Sequence, residues 1–276
     1  MPANHCAQAD KKEKYCLMHT LQMYKLDGHV ALVTGGGHGI GRHLSIGLAE
    51  AGADVIVVGR KLEPLQEVAD CIEAMGRRAW VLQADLSDVA AIDTLVATAT
   101  ERVGRIDILV NNAGMVWAAP TLDYPLRGWD KVFDLNVRGL FYLSQQVARG
   151  MKARGGGSII NISSISAWRS ATDEVEPVVA YNASKGAVVS LTRDMAVKLA
   201  ADNIRVNGIA PGAFLTDMMD HLRHDADVLS AFESAIPQQR SGVEDDIKGV
   251  VVFLASPASA FITGQTLVVD GGWLCT

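Results

Sequence analysis

From residue 29 onward the chain alternates short apolar runs with segments whose apolar residues recur every three or four positions. The runs at 29–34, 54–58, 79–82, 108–110, 158–162, 204–209 and 266–269 are rich in Val, Ile and Leu and too short for helices. Helical spacing fills 40–51, 62–75, 89–103, 129–151, 181–201 and 243–255. Leu62, Leu65, Val68, Ile72 and Met75 fall on one helical face, and Gly76 stops it. Trp129, Phe133, Asn136, Leu140, Leu143, Val147 and Met151 predict one long helix that ends at Gly155, Gly156 and Gly157. Strands that are apolar throughout must be covered on both faces, which requires a parallel sheet between helix layers. Right-handed crossovers then make this an α/β fold, a doubly wound parallel sheet of Rossmann type. No internal repeat or low-complexity linker divides it. The expected organisation is a single domain, residues 23–276, behind an N-terminal tail at 1–22 that is not part of the fold.

Composition narrows what such a domain can do. Of 276 residues, 49% are hydrophobic and 20% charged, enough to bury a full core without disulfides or metals. Asp and Glu total 31 against 25 Lys and Arg, a net charge of −6. Neutralising nucleic-acid phosphates needs the opposite balance, so no nucleic-acid partner is expected. No apolar run nears the roughly 18 residues of a membrane span. Cys6, Cys16, Cys71 and Cys275 are far apart and match no metal-ligand spacing, which fits free thiols in a reducing cytoplasm. Lys11, Lys12 and Lys14 precede a stretch interrupted by His19, Thr20 and Gln22, a poor signal-peptide core. A cytoplasmic location is therefore expected. His221 and His224 stand at i, i+3 with no third ligand nearby, so no metal is expected.

In a doubly wound sheet, ligands bind beyond the carboxyl ends of the strands, at the switch point. After the first strand the sequence reads Thr34, Gly35, Gly36, Gly37, His38, Gly39, Ile40, Gly41. The G-x-G-x-x-G spacing fails, because counting from Gly37 the third glycine position holds Arg42. No Gly-Lys-Ser/Thr follows either, which excludes a Walker-type loop. What fits is Gly35-x-x-x-Gly39-x-Gly41, a glycine turn opening a helix. The amides and dipole of such a helix start favour a phosphate.

With further marks in chain order, this segment resembles the short-chain dehydrogenase/reductase family, over nearly everything from residue 24 to residue 272. The marks are Asp85-Leu86, Asn111-Asn112-Ala113-Gly114, Asn136, Ser163-Ser164, Tyr181-x-x-x-Lys185 and Ile204-Arg205-Val206-Asn207. Pro211-Gly212 with Thr216, Gly264-Gln265 and Asp270-Gly271-Gly272 complete them. Residues 170–188 look like the gluconate 5-dehydrogenase-like branch and are also similar to 3-oxoacyl-carrier-protein reductases. The latter tend to carry a basic residue near the end of the Tyr-Lys helix, where this chain has Ala201, Asp202 and Asn203.

The resemblance implies hydride transfer between a nicotinamide cofactor and a small carbonyl or secondary alcohol. The implied cofactor-binding residues are Gly35, His38, Gly39, Ile40, Gly41, Arg60, Asp85, Leu86, Asn112, Ala113, Gly114, Tyr181, Lys185, Pro211, Gly212 and Thr216. Asp85 and Leu86 would lie beside the adenine, Asn112 near the adenosine ribose and Thr216 on the carboxamide. The resemblance also implies a homotetramer built through helices 129–151 and 181–201 and the C-terminal region. An acidic residue at the end of the second strand would accept the ribose hydroxyls of NAD, whereas an arginine accommodates the 2′-phosphate of NADP. Here Gly59 holds the acidic position and Arg60 follows, with His38 in the glycine turn. NADP(H) is therefore the expected cofactor, with NAD(H) possible.

Tyr181 and Lys185 lie one helical turn apart and project from one face. A nearby lysine cation stabilises a tyrosinate, so the pair suits proton transfer near neutral pH. On an arbitrary helix it is a surface tyrosine beside a solvated lysine. The resemblance makes Tyr181 the acid–base group, with Lys185 tuning it and binding the nicotinamide ribose. Ser164 polarises the substrate oxygen, ahead of Ser163 and Ser166. Asn136 holds a water in a relay through Lys185, or serves the structure alone. The stretch from Ser164 to Tyr181 is longer than is usual in the family; its extra residues, within 170–179, include Asp173, Glu174 and Glu176. It shapes the substrate pocket or is a solvated bulge. Residues 214–237, with Met218, Met219, His221, Leu222, His224 and Phe232, are the expected substrate lid, and Trp117 and Trp168 are candidates to face the pocket. Two alternatives stand beside this reading. One is an NAD-dependent sugar-acid or polyol dehydrogenase; the other, of a different class, is a catalytically idle NADP-binding regulatory protein.

Overall fold

The computed structural model describes residues 19–215 and 226–276. Seven parallel strands form one sheet in the order β3-β2-β1-β4-β5-β6-β7. They are β1 (Val30–Thr34), β2 (Asp54–Gly59), β3 (Ala79–Gln83), β4 (Ile108–Asn111), β5 (Gly157–Ile162), β6 (Ile204–Pro211) and β7 (Thr266–Val269). The strand order reverses between β1 and β4, whose carboxyl ends frame a crevice.

Side chains alternate across each strand, and both sets are apolar. Ala31, Val33, Val55 and Val57 point to one face, where α1 (Gly39–Glu50), α2 (Leu62–Ala74) and the helix Glu244–Ala255 supply Leu44, Leu65, Ile72, Val251 and Leu254. Val30, Leu32, Ile56 and Val58 point to the other face. There α3 (Val89–Val103) and the helices that follow β4 and β5 supply Ile92, Leu95, Leu143, Met151 and Met195. Burial is complete on β1 and β4, while the edge strands β3 and β7 are only partly buried.

The long helix expected over 129–151 is divided. α4 (Leu126–Phe133) passes through a π turn, Asp134–Gly139, into α5 (Leu140–Ala153). The wider turn leaves the apolar spacing intact, so periodicity alone does not show it. Gly139 closes the turn where a Cβ would lie 2.1 Å from the Leu86 carbonyl oxygen. α6 (Val179–Leu199) starts just ahead of Tyr181, and β6 runs on to Pro211. α7 (Ala226–Ser234) and α8 (Glu244–Ala255) complete the fold.

Among the described residues, a 3-10 turn, Thr20–Tyr24, precedes β1. Tyr24 packs its ring 6.3 Å from that of Phe253, and Leu26 is fully buried. Residues 1–18 lie outside the described residues. No helix among the described residues is long and apolar enough to cross a membrane.

Candidate active site

The glycine turn after β1 has a stereochemical reason for each glycine of the expected pattern. Gly35 and Gly39 have φ of 62° and 46°, in the left-handed region. Gly41 needs room instead: a Cβ there would lie 2.0 Å from the Gly35 carbonyl oxygen. Thr34 ties this turn to the loop after β4. Its Oγ1 accepts the amides of Asn112 at 2.9 Å and Ala113 at 3.0 Å. Asn112 Nδ2 donates back to the carbonyls of Thr34 at 3.0 Å and Gly35 at 3.2 Å. The first turn of α1 thereby faces a cleft of about 1070 Å³, above the usual range for small-ligand sites of roughly 300–1,000 Å³.

Gly35, His38, Gly39, Ile40, Gly41, Arg60, Asp85, Leu86, Asn112, Ala113, Gly114, Ser164, Tyr181, Lys185, Pro211 and Gly212 all line that cleft. Lys61, Leu65 and Met115 line it too, with no motif to mark them in the sequence. Lys61 adds a second cation beside Arg60. Asp85 Oδ1 accepts from Ser87 N at 3.0 Å and Oγ at 2.7 Å. Those bonds hold its carboxyl below the ordinary range, with burial opposing and Arg60 assisting. Thr216, Met218, Met219, His221, Leu222 and His224 lie outside the described residues.

At the other end, α6 brings Tyr181 and Lys185 to the cleft floor. Lys185 is 5% exposed and donates to the Ile162 carbonyl at 2.8 Å, and its Nζ lies 5.4 Å from the Tyr181 ring centroid. Burial lowers the Lys185 pKa to about 8. Burial pushes the Tyr181 phenol up, a hydrogen bond with Ser164 pulls it down and the Glu176 carboxylate pushes it up again. In the protein alone, therefore, the phenol is held protonated. Lys185, expected to depress it, is not among the groups that set this shift.

The two serines that follow β5 both line the cleft but differ in their bonds. Ser163 Oγ donates to the Lys185 carbonyl at 2.9 Å, fastening α6 to the end of β5. Ser164 lies beside Tyr181. Asn136 sits in the π turn, 1% exposed and behind the cleft wall. Its Oδ1 accepts Met115 N at 2.8 Å, and its Nδ2 donates to Met115 O and Ser184 Oγ, both at 3.0 Å. Both amide protons are thus committed to protein. A Cβ on Gly114 would lie 3.4 Å from Asn136 Oδ1 and 3.6 Å from Lys185 Nζ, so the two side chains converge on that glycine.

The long segment 170–179 is fastened, not loose. Asp173 accepts Thr121 N at 2.9 Å and Thr121 Oγ1 at 2.8 Å, and Ala119 N donates to Pro177 O at 2.9 Å. Phe214 lines the cleft, while Phe232 packs edge-on against Trp273 at 5.3 Å. Trp273 also carries the Arg169 guanidinium over its ring at 4.1 Å. Trp117 is not among the residues that line the cleft; its ring covers Gly128 and lies 5.5 Å from Lys131 Nζ. Trp168 is half exposed and likewise outside the cleft wall. Cys71 and Cys275 are free thiols. Among the described residues, no group of three His, Cys, Asp or Glu side chains could hold a metal.

A phosphate cradle of glycines, cations at one end of the cleft and a partly buried tyrosine beside a buried lysine at the other fit a dinucleotide. The class defined by this fold and cleft is that of nicotinamide-dependent oxidoreductases. The family described as "Enoyl-(Acyl carrier protein) reductase" matches residues 35–274. The 2-dehydro-3-deoxy-D-gluconate 5-dehydrogenase of Dickeya dadantii is 42% identical, over 92% of this chain and 98% of the relative. A gluconate 5-dehydrogenase from Burkholderia cenocepacia, solved with NADP and tartrate, is 39% identical, covers 94% of this chain and 100% of its own, and superposes with a TM-score of 0.87. A 7α-hydroxysteroid dehydrogenase solved with NADH and 7-oxo glycochenodeoxycholic acid is 36% identical, covers 93% and 98%, and reaches 0.86. The chain belongs to the short-chain dehydrogenase/reductase family, whose named members act on CH–OH and C=O groups.

Proposed function

We propose that this chain is an NADP(H)-preferring oxidoreductase that interconverts a small carbonyl compound and its secondary alcohol. The observation that carries the reading is the placement of Ser164, Tyr181 and Lys185 together at one end of a glycine-cradled cleft whose other end holds Arg60 and Lys61. When bound, the nicotinamide supplies or accepts the hydride and, oxidised, brings a positive charge to the site. Tyr181 gives its proton to the carbonyl oxygen in reduction and takes the hydroxyl proton in oxidation. Ser164 hydrogen-bonds the same oxygen. Lys185 holds a cationic group beneath the phenol and opposes its burial. Asn136 pins Met115 and Ser184 around this group and so positions Lys185. Gly35, Gly39 and Gly41 admit the pyrophosphate to the start of α1, and Asp85, Leu86 and Asn112 take the adenosine.

Arg60 favours NADP because nothing acidic stands at Gly59 to bind a free ribose diol and repel the 2′-phosphate. A second reading, an NAD-dependent sugar-acid or polyol dehydrogenase, is favoured by the names of the similar gluconate-type relatives. A panel of carbonyl compounds and alcohols, with gluconate and 2-dehydro-3-deoxygluconate among them, read by NADPH and NADH absorbance, separates the two. Higher kcat/KM with NAD than with NADP would overturn the cofactor preference. Cofactor binding without any turnover would leave an idle regulatory protein. The domain is taken as residues 23–276 with the lid near 214–237, in a cytoplasmic homotetramer. Exposed Leu126 on α4 and Val197 on α6 supply apolar surface on the helices expected to meet. A monomer in light scattering would contradict the assembly.

A further inference from the structure

Among the described residues, Arg42, Arg77, Arg169 and Arg205 are the partly buried arginines. Three of them are matched by oxygen. Arg42 meets Glu244 at 3.5 Å and Arg77 meets Asp27 at 3.4 Å. Arg205 donates to the Leu254 carbonyl at 2.9 Å and to Ser259 Oγ at 2.8 Å. The Arg169 guanidinium has no ion pair and no hydrogen bond among the described residues; what it meets is the Trp273 ring, 4.1 Å away. The ring attracts the cation but offers no oxygen, so the five N–H donors are left without an acceptor in the chain. The carboxylates nearby are engaged elsewhere. Asp270 accepts Gly272 N at 2.8 Å and Leu274 N at 2.7 Å, Asp173 is held by Thr121, and Glu176 Oε1 accepts from Ser166 Oγ at 3.3 Å.

The place of this cation is fixed from both sides of the catalytic end. Ser164 opens the 3-10 turn Ile165–Ala167, and Arg169 N donates to Ile165 O at 3.1 Å, so the arginine leaves the chain one turn beyond that serine. Trp273 comes from the opposite side. Gly212 lines the cleft and packs so closely on Asp270 that a Cβ there would lie 2.6 Å from the Asp270 Cβ. Trp273 N donates back to Asp270 O at 3.3 Å. Phe232 of α7 meets the indole edge-on at 5.3 Å and fixes its tilt. The Arg169–Trp273 contact therefore joins the Ser164 turn to the segment behind Gly212.

We propose that Arg169, held on Trp273, is a specificity-determining residue that binds a carboxylate at the far end of the substrate, so that the substrate is a hydroxy acid or the matching oxo acid. The proposal rests on the dehydrogenase reading above. With the substrate oxygen at Ser164 and Tyr181, the other end of the molecule extends along the Ser164 turn toward Arg169. A carboxylate there takes two parallel N–H bonds from the guanidinium, which the unused donors supply. The indole behind the cation keeps water from one of its faces and strengthens the attraction relative to a fully solvated arginine. A phosphate fits less well. Neither residues 164–169 nor residues 270–274 carry a second cation for its second charge, and Asp270 and Glu176 repel it. Arg169 holds the substrate and takes no part in the proton or hydride transfer.

The test uses the full chain as wild type, Arg169→Gln and Arg169→Lys. Two pairs of alcohols differ only in a carboxylate against a hydroxymethyl group: gluconate against sorbitol, and 3-hydroxybutyrate against 1,3-butanediol. With NADP, the wild type should oxidise at least one carboxylate member with kcat/KM about tenfold or more above its uncharged partner. Arg169→Gln should lose that preference through KM, with the value for the uncharged partner within about twofold of wild type. Arg169→Lys keeps a cation over Trp273 and should retain part of the preference. A wild type that favours the uncharged members, an Arg169→Gln that lowers both members alike, or an Arg169→Lys with no preference left would overturn the proposal while the dehydrogenase reading stood. The second measurement needs no turnover. Gluconate and 3-hydroxybutyrate are titrated by calorimetry into NADPH-loaded protein, where the cofactor cannot accept a hydride. The wild type should bind at least one of them about tenfold or more tightly than Arg169→Gln does. Equal affinities, or no binding of either, would overturn the proposal even if no alcohol were oxidised, an outcome that would count separately against the dehydrogenase reading.

Discussion

The Lys185 ammonium donates to the Ile162 carbonyl at 2.8 Å, joining the Tyr-Lys helix to the carboxyl end of strand β5. The bond satisfies one proton of a buried cation and leaves the group aimed at the cleft. Keeping a charge there costs stability, and the lowered pKa of about 8 records that cost.

Lys185 therefore gives stability a defined pH dependence. Between pH 8 and the ordinary value of 10.5 the unfolded chain binds more protons than the folded one, so stability rises with pH. The stability of wild type minus that of Lys185→Met should grow by about 2 kcal/mol from pH 8 to pH 10. Urea unfolding of the cofactor-free proteins checks this; a flat difference would show that Lys185 is not desolvated.

Tyr181→Phe removes the phenolic proton and little volume. Turnover in either direction should fall by at least about 100-fold. NADPH affinity, read by fluorescence, should change little, because the glycine turn and Arg60 are untouched. A variant with near-normal kcat would place the acid–base group elsewhere.

Arg60→Ala should lower kcat/KM for NADP by about ten- to a hundredfold, the value of a charge-assisted hydrogen bond. The value for NAD should stay within about twofold. Equal losses with both cofactors would mean that Arg60 supports the fold of the cleft wall and not the phosphate.

Glycines in this chain are not alike. Gly41→Ala places a Cβ 2.0 Å from the Gly35 carbonyl oxygen, and the backbone turn must open to admit it. NADPH affinity should fall at least tenfold and the melting temperature should drop. Gly249→Ala, at an exposed position of α8 with nothing within 4 Å of the new methyl, should stabilise by about 0.5–1 kcal/mol and leave turnover alone. Thermal melts of both variants decide the pair.

Much of this was legible from residue order. Helix positions follow from the 3.6-residue periodicity, and strand positions from short runs that are apolar throughout because both faces of the sheet are buried. The glycine pattern and the Tyr181–Lys185 spacing are local, so their geometry can be read along one helix or one turn. Trp117 shows the limit: an aromatic near a site motif has no marker for which way its ring faces, and α4 took it as a cover. The π turn at Asn136 shows another, since one extra residue in a helical turn leaves apolar spacing nearly unchanged.

By itself, then, the sequence determined the doubly wound sheet, the phosphate cradle and the family to which the chain belongs, because each depends on residues close together along the chain. Only the tertiary structure decided that the Ser163 hydroxyl bonds the Lys185 carbonyl while Ser164 lies beside Tyr181, and that burial pushes the Tyr181 phenol up. It also decided that the long acidic segment delivers Glu176 to Ser166. These depend on which surfaces exclude water and which distant segments are tied together, as Asp173 is to Thr121 across 2.8 Å. No local spacing encodes those contacts, since they exist only once the sheet has brought the ends of its strands to one edge.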